Sequence, residues 1–547
     1  MNFKKLETAQ KLRGGYYTEP DIASFLSAWV LEKQPTRVLE PSCGDGAFVE
    51  AISRLEHGSV ESIDLCEIDP DEACVAKEKA RMLGDVKVMV RVGDFLEWSL
   101  PRLEGLPKFD AVVGNPPFIR YQYLDPEVQY RSEQIFERFR LPFTKHTNAW
   151  VPFIISSLAQ LLPGGRLAMV VPAEILHVIH AKSLRDFLLA QCSQVLILDP
   201  QHIWFNETLQ GVVLLLAEKK KTLSSVPAMI SVTPVKNRAE LQGKASTYFG
   251  KCDYISGTKM NGKWMLALLS AAERSIVEEL SKKPFIRPFD RVADVDVGIV
   301  TGANNFFLVP DSVIEQYDLR SFAHPMFGRS DHVQGVIYDE RNHARNKAEG
   351  LPTNFLWFRD ELIEQLPPKV REYIRLGESQ DLHKRYKCRI RSPWYSVPSV
   401  YAASVGMLKR SHHFPRLLLN KVGAYTTDTA YRVRSKEMKD ADLVVAFLNS
   451  LTALTAELEG RHYGGGVLEL VPSEIEKLLI PVSQFSPSAI EELDRSFRSQ
   501  MPPEELFAQQ DALVLRPLGI TKKNCLALLD AWIKLRDRRQ RSEPAAD

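Results

Sequence analysis

The chain has 547 residues, with 70 lysines and arginines against 69 aspartates and glutamates and an apolar fraction of 45%. This balance is that of an ordinary folded protein and excludes a collagenous, disordered or uniformly basic chain. No apolar run approaches membrane-spanning length, Met1-Asn2-Phe3-Lys4-Lys5-Leu6-Glu7 lacks the apolar core of a secretory signal, and the cysteines show no C-x-x-C pair or zinc-like spacing, so a cytoplasmic protein without structural metal is expected.

Arg37-Val38-Leu39-Glu40-Pro41 reads as a short buried strand. It runs into Ser42-Cys43-Gly44-Asp45-Gly46-Ala47-Phe48, a small-residue turn that opens a helix near Val49 and lets a ligand approach the main chain. The next strand, Ser62-Ile63-Asp64-Leu65-Cys66, delivers Glu67 where a nucleotide-binding α/β unit sets an acid on ribose hydroxyls. A third, Val86 to Val92, ends in Gly93-Asp94-Phe95, an acid and a ring suited to the amino edge and face of adenine. Each signal alone has an ordinary explanation, since glycine turns are common and strand-end acids often cap helices. In order, at successive strand ends, they point to an adenosine-bearing cofactor. The turn lacks the third glycine of the dinucleotide fingerprint, and Glu40 and Asp45 would repel a pyrophosphate. Both can pair with the ammonium of a methionine moiety, which favours S-adenosylmethionine over NAD.

Phe109-Asp110-Ala111-Val112-Val113-Gly114 is a fourth buried strand, and Asn115-Pro116-Pro117-Phe118 emerges at its end. The prolines fix φ and supply no N–H, so the carbonyls of Asn115 and Pro116 are expected to face a cleft as acceptors. An amide and a carbonyl that take both hydrogens of a planar NH2 turn its lone pair toward an adjacent electrophile, with Phe118 stacked on the attached ring. Asn-Pro in isolation also closes ordinary loops.

Strand and helix patterns alternate to about Glu218, as in a mostly parallel sheet covered by helices. Lys219-Lys220-Lys221-Thr222-Leu223-Ser224-Ser225 is a polar break, and past Pro284 shorter strand-like runs read as an α+β domain. The expected divisions are a cofactor-binding catalytic domain over 1–265, a recognition domain over 266–500, and a helical segment with a frayed charged tail over 501–547. Between Asp381 and Asp428 the chain has no carboxylate, yet it carries Lys384, Arg385, Lys387, Arg389, Arg391, Lys409, Arg410, Arg416 and Lys421, with Tyr386, Trp394, Tyr395 and Tyr401 interleaved. This local basic charge is expected to meet nucleic-acid phosphates; Cys388 with His383, His412 and His413 could be imagined as metal ligands, but the histidines are read as basic and DNA-facing.

These motifs, in this order, resemble the γ-class amino-group DNA methyltransferases typified by the TaqI adenine methylase. The resemblance implies that Gly15-Tyr16-Tyr17-Thr18-Glu19-Pro20 caps the methionine end of the cofactor, with Glu40, Ser42 and Gly44 in the main cofactor loop. It further implies that Glu67 holds the ribose, Asp94 and Phe95 the adenine, and Asn115, Pro116, Pro117 and Phe118 the reacting base. Asn148 and Phe153 fall in the next motif, ahead of Pro163-Gly164-Gly165-Arg166-Leu167-Ala168-Met169-Val170-Val171-Pro172. Phe205, heading Phe205-Asn206-Glu207-Thr208-Leu209-Gln210-Gly211-Val212-Val213, corresponds to a second ring against the target base. Two departures stand out: Glu19 interrupts a Thr-Pro pair, and Phe118 replaces a tyrosine, without removing a required group. Arg461-His462-Tyr463-Gly464-Gly465-Gly466-Val467-Leu468-Glu469-Leu470 resembles a segment of target-recognition domains in XhoI-type modification methylases. Its glycines either let DNA approach the backbone or form a turn.

The fold so implied is α/β, a Rossmann-like S-adenosylmethionine-dependent methyltransferase sheet followed by an α+β target-recognition domain. The implied reaction methylates the N6 amino group of an adenine flipped out of double-stranded DNA. The enzyme would be the modification half of a restriction-modification system whose endonuclease is a separate chain. Cytosine N4, an RNA base, a protein glutamine, or a silent DNA-binding specificity subunit remain as alternatives. The intact motifs and the basic second half favour adenine in DNA.

Overall fold

A computed structural model describes residues 17–204, 211–222, 224–260, 262–329 and 332–541. The chain forms two compact units, Met1–Ala271 with Gln540–Asp547, and Ala272–Arg539.

The first unit is built on β1 (Arg37–Glu40), β2 (Ser62–Glu67), β3 (Lys87–Val92), β4 (Phe109–Gly114), β5 (Leu161–Pro172), β6 (Cys192–Pro200), β7 (Val212–Lys219), β8 (Met229–Val235) and β9 (Ile255–Ser256). They hydrogen-bond in the order β3-β2-β1-β4-β5-β7-β6-β8-β9. The pairs among β1 to β5 are parallel, and β7 runs antiparallel to both β5 and β6. Successive side chains of a strand point to opposite faces. Along β5, Ala168 and Val170 join a core cluster with residues of α1 (Pro20–Leu31), α2 (Ala47–Ser53) and α3 (Pro70–Ala80), while Leu167, Met169 and Val171 are buried on the other face. That doubly covered position is why the strand is a continuous apolar run without polar alternation.

Strand order dictates where a ligand fits. The chain steps outward from β1 to β2 to β3, then returns to the other side of β1 as β4, so the carboxyl ends of β1 and β4 face the switch point of the sheet. Helices begin just past the carboxyl ends of β1, β2 and β3. Asp69 caps α3 through Asp71 N, and Asp94 caps α4 (Phe95–Ser99) through Leu96 N. Gly46 opens α2 at φ 84°, and a Cβ there would lie 2.9 Å from Ala76 Cα, so only glycine admits the close approach of α2 and α3. Next come α5 (Pro126–Arg138), α6 (Trp150–Gln160), which packs on β4 and β5, and α7 (Lys182–Gln191).

The second unit centres on a sheet of β10 (Ala293–Val297), β11 (Ile337–Tyr338), β12 (Val405–Leu408), β13 (Leu417–Asn420) and β14 (Ala430–Ser435), ordered β10-β14-β12-β13-β11. Beside it an aromatic core gathers Phe306, Tyr373, Trp394 and Tyr395, with Phe306 stacked on Tyr373 at 4.6 Å. Helices α8 (Asp440–Phe447), α9 (Ser450–Glu459), α10 (Pro503–Val514) and α11 (Lys522–Arg539) complete the unit. The helices past Pro502, read from the sequence as a separate segment, therefore lie inside this unit: α11 packs along α9, and Trp532 is fully buried against Phe507. The tail beyond is not frayed where it starts, because Arg541 donates to Asp199 at 3.1 Å and to the Pro200 carbonyl at 2.6 Å at the end of β6. Among the described residues no single helix is long and apolar enough to cross a membrane.

Candidate active site

Glu40, the last residue of β1, is 1% exposed, and neither of its carboxylate oxygens has a hydrogen-bond partner among the described residues. Burial, reinforced by the nearby charges of Asp45 and Glu67 and only partly offset by Lys79, pushes its carboxyl well above the usual range. A buried anion without a partner is costly, so this position either keeps its proton or meets a cation. The methionine end of S-adenosylmethionine carries an ammonium and a sulfonium, and the donor set fits it. Asp45, expected to share that task, instead accepts from Lys79 at 2.8 Å, and Lys79 also reaches Glu50 at 3.1 Å. The close packing of α2 on α3 places this lysine beside the turn.

Glu67, at the end of β2, ties the site together. Its Oε2 accepts from Gly44 N at 2.8 Å, and its Oε1 accepts from Ile68 N and Asp69 N at 2.9 and 3.0 Å. Each carboxylate oxygen carries two lone pairs, so the same group that holds the glycine turn retains acceptor capacity for ribose hydroxyls. Gly44 itself sits at φ 50° with open space around its missing side chain, as the approach of a ligand requires.

One strand further out, Asp94 accepts from Leu96 N through Oδ1 and from Arg131 through Oδ2, both at 2.8 Å. The Phe95 ring departs from expectation. It is 2% exposed and packs on Phe153 at 5.1 Å and Trp98 at 5.8 Å, because the first residue of α4 turns its side chain into the core. Its contribution at the surface is the main-chain N–H of a helix start. Arg131 was missed by sequence reasoning. Ser132, Ile135 and Phe136 are the buried side of α5, and projecting that stripe would have set Arg131 at its border.

Asn115 leaves β4 on the opposite side of the switch point. Its Nδ2 donates to Thr18 Oγ1 at 3.2 Å, and its main-chain carbonyl accepts from Ser42 Oγ at 2.8 Å. The Asn115 carbonyl, expected to face a cleft, accepts from Ser42, and Thr18 and Ser42, expected on the cofactor, both touch the Asn-Pro-Pro motif. Pro116 and Pro117 follow, and Phe118 is half-buried against the core on the α1 to α3 face. The chain beyond is pinned by Asn148, which accepts from Tyr121 N at 3.0 Å and donates to Glu174 at 3.3 Å. Phe205 lies outside the described residues.

In the second unit the basic run separates into two populations. Lys384, Arg385, Lys387, Arg389 and Lys421 are exposed. Lys387 and Arg389 flank the exposed ring of Tyr386 at 5.6 and 5.5 Å, and Lys384 pairs with Asp381. Arg391 instead donates to the carbonyls of Val300 and Thr301, both at 2.7 Å. Arg416 donates to Val333 O at 2.6 Å, and burial lowers its pKa to about 10. Lys409 and Arg410 converge on Glu469. Trp394 and Tyr395 are core, and the Tyr401 hydroxyl donates to Asp296 at 2.6 Å beneath the guanidinium of Arg432. Cys388 is likewise buried in the aromatic core. Gly465 and Gly466, at φ 78° and 71°, form the turn between Arg461–Tyr463 and Val467–Glu469.

Residues 3–247 match the N-6 DNA Methylase family, and residues 261–515 match the C-terminal domain of the Type II methyltransferase M.Eco57I. The Type II methyltransferase M.AccI of Acinetobacter calcoaceticus is 22% identical, over 84% of this chain and 84% of its own. The Type II methyltransferase M.XamI of Xanthomonas campestris pv. amaranthicola is 21% identical, over 86% and 85%. Among solved structures, the Type IIL restriction-modification enzyme MmeI in complex with DNA shares the fold with a TM-score of 0.55 at 13% identity, over 98% of this chain and 77% of that one. Residues 3–247 of the chain thus carry an N-6 DNA methylase domain, and the protein is a DNA methyltransferase that transfers a methyl group from S-adenosylmethionine to the N6 amino group of adenine.

Proposed function

We propose that this enzyme supplies the modification activity of a restriction-modification system, methylating one adenine within a defined sequence of double-stranded DNA in the cytoplasm. The relatives that match most of its length are Type II methyltransferases. The observation that carries the reading is the meeting of Asn115 and the partnerless, buried Glu40 across one switch point.

The residues divide the work. Glu40 faces the cationic end of the cofactor, Glu67 the ribose and Asp94 the adenine. S-adenosylmethionine, when bound, supplies an electrophilic methyl group. Asn115 Oδ1 and the Pro116 carbonyl accept the two hydrogens of the target amine, which draws the nitrogen toward tetrahedral geometry and exposes its lone pair. A stacked base cannot reach this crevice, so the adenine leaves the duplex at a cost of a few kcal/mol. Stacking on Phe118, with Phe205 as the second ring, returns on the order of 1–3 kcal/mol per ring. A carboxylate base is unnecessary, since the methylated ammonium is a strong acid. Arg385, Lys387 and Arg389 of the second unit supply phosphate contacts.

Sequencing modified bases in DNA from cells that express this chain alone tests the proposal. The expected product is N6-methyladenine at one recurring sequence. N4-methylcytosine, or unmodified DNA, overturns it.

A further inference from the structure

We propose that Thr18 is a positioning residue for methyl transfer, anchoring the Asn115 amide by its NH2 so that its oxygen is left for the target amine. The inference rests on the reading of Asn115 as the group that accepts from the base.

The two ends of an asparagine side chain have nearly the same shape and opposite hydrogen-bonding character. Only the oxygen end can accept from an exocyclic NH2, since an amide turned the other way would set donor against donor. The Asn-Pro-Pro sequence stiffens the backbone but leaves the last torsion of the asparagine side chain open, so a contact from outside the motif is needed to hold it.

Thr18 supplies that contact by accepting from Nδ2 at 3.2 Å, which leaves Oδ1 for the target amine. It comes from a segment 97 residues earlier in the chain, so the contact is tertiary and not a local turn. Its place is well determined: Thr18 is 7% exposed, and two residues later α1 begins with Pro20 and is anchored by Ile22, Leu26, Trp29 and Val30 in the core. Ser42 completes the arrangement from the other side. By donating to the Asn115 carbonyl at 2.8 Å it occupies one lone pair of that main-chain oxygen and fixes the direction of the peptide. One hydroxyl thus fixes the backbone of the residue and the other its amide. A purely cofactor-binding Thr18, as the sequence resemblance implies, would show up in cofactor affinity. A positioning Thr18 shows up in the chemical step.

The test is the single-turnover rate of methyl transfer from tritiated S-adenosylmethionine to unmethylated amplified bacterial DNA, at saturating cofactor and DNA. Thr18→Val, which keeps the shape and loses the hydroxyl, is expected to slow this step by roughly three- to tenfold, the ratio that a lost hydrogen bond gives. Thr18→Ser is expected to restore it. A rate unchanged in Thr18→Val, including the case where only the cofactor concentration needed for saturation rises, overturns the proposal, and so does a loss that serine does not recover. Asn115→Ala run alongside separates the two claims: if it transfers methyl groups as fast as the unmodified enzyme, the reading of Asn115 has failed.

Discussion

Arg539 closes its guanidinium fork on Glu457, Nε to Oε2 at 3.0 Å and Nη2 to Oε1 at 2.7 Å, with both side chains fully buried. The remaining hydrogens go to the main-chain carbonyls of His412, His413 and Gly466, so one arginine of α11 ties two hairpin loops to α9. Removing one partner of such a pair strands the other charge. Arg539→Met is expected to destabilise the second unit by about 3–5 kcal/mol in urea denaturation, and Arg539→Met with Glu457→Leu by much less. A double variant as unstable as the single one would refute this account.

The same cluster sets an acid limit. Burial alone would raise the Glu457 carboxyl, but the charge of Arg539 and the hydrogen bonds from His462 and Arg539 outweigh it and hold the group at about 2, against 4.5 ordinarily. The unfolded chain therefore takes up this proton first, and the stabilisation, complete above the ordinary value, is lost as pH falls from about 4.5 toward 2. His462 adds to this at higher pH. Burial lowers it from 6.5, so it stays neutral in the fold while the unfolded chain protonates, and stability declines as pH drops below that value. Melting temperatures measured from pH 8 downward should begin to fall near 6.5 in the unmodified protein, and His462→Gln should lessen that first decline, to which His324, His343 and His413, each lowered by desolvation, also contribute, while leaving the later one.

Glu40 has the opposite sign. Its carboxyl is raised by burial and by the charges of Asp45 and Glu67, so the folded protein holds a proton that the unfolded chain releases, and the site becomes a liability as pH rises through the usual carboxylate range. A cation in the crevice favours the ionised form, so cofactor binding releases a proton and tightens as pH rises. Glu40→Gln, which is neutral and of the same shape, is expected to raise the melting temperature of the free protein and to weaken S-adenosylmethionine binding by about tenfold or more, the scale of a lost charged hydrogen bond. Calorimetric titration in buffers of different ionisation enthalpy checks the proton release. A Glu40→Gln enzyme that binds the cofactor normally would remove this acid from the site.

How much of this was legible in the sequence depends on whether a residue acts through its position along a strand or through its neighbours in space. Glu40, Glu67, Asp94 and Asn115 were legible because each lies at the end of a short strand or within two residues of it, and the parallel order brings those ends to one edge. The doubly buried strands were legible for the same reason. Thr18 against Asn115, Ser42 on its carbonyl and Arg131 on Asp94 were not, since these are contacts between segments whose spacing carries no period. The basic run shows the converse error. Composition counts Arg391 and Arg416 with Arg385 and Lys387, whereas the fold spends the first two on buried carbonyls. Trp394 and Tyr395 were likewise read as a surface pattern, although rings of that size beside Phe306 and Tyr373 are what a small aromatic core is made from.

Asn115 and Glu67 should separate chemistry from binding. Asn115→Ala removes the side-chain acceptor for the target amine and is expected to cut methyl transfer by a factor of about 100 to 1,000, while cofactor affinity changes little. Glu67→Ala releases Gly44 N together with the ribose site, and it should chiefly weaken cofactor binding, with transfer recovering at high cofactor concentration. Equilibrium dialysis with labelled cofactor beside single-turnover transfer reads both quantities. An Asn115→Ala enzyme of full activity, or a Glu67→Ala enzyme of unchanged affinity, would contradict these roles.

The two populations of basic side chains lead to a separable prediction. Arg385, Lys387 and Arg389 are exposed around Tyr386, so neutralising them should weaken DNA binding through the counterion term alone. With three phosphates no longer neutralised, the slope of log K against log salt should become shallower by about 2.7, near 0.9 for each phosphate. Arg391→Gln and Arg416→Met alter groups whose hydrogen bonds go to Val300, Thr301 and Val333, so they should lower the melting temperature and leave the salt slope unchanged in the protein that remains folded. Fluorescence anisotropy on a labelled duplex across a salt series distinguishes the two sets. If the triple variant keeps the original slope, this face does not meet phosphate. If Arg391→Gln or Arg416→Met changes the slope without loss of stability, the division drawn from burial is wrong.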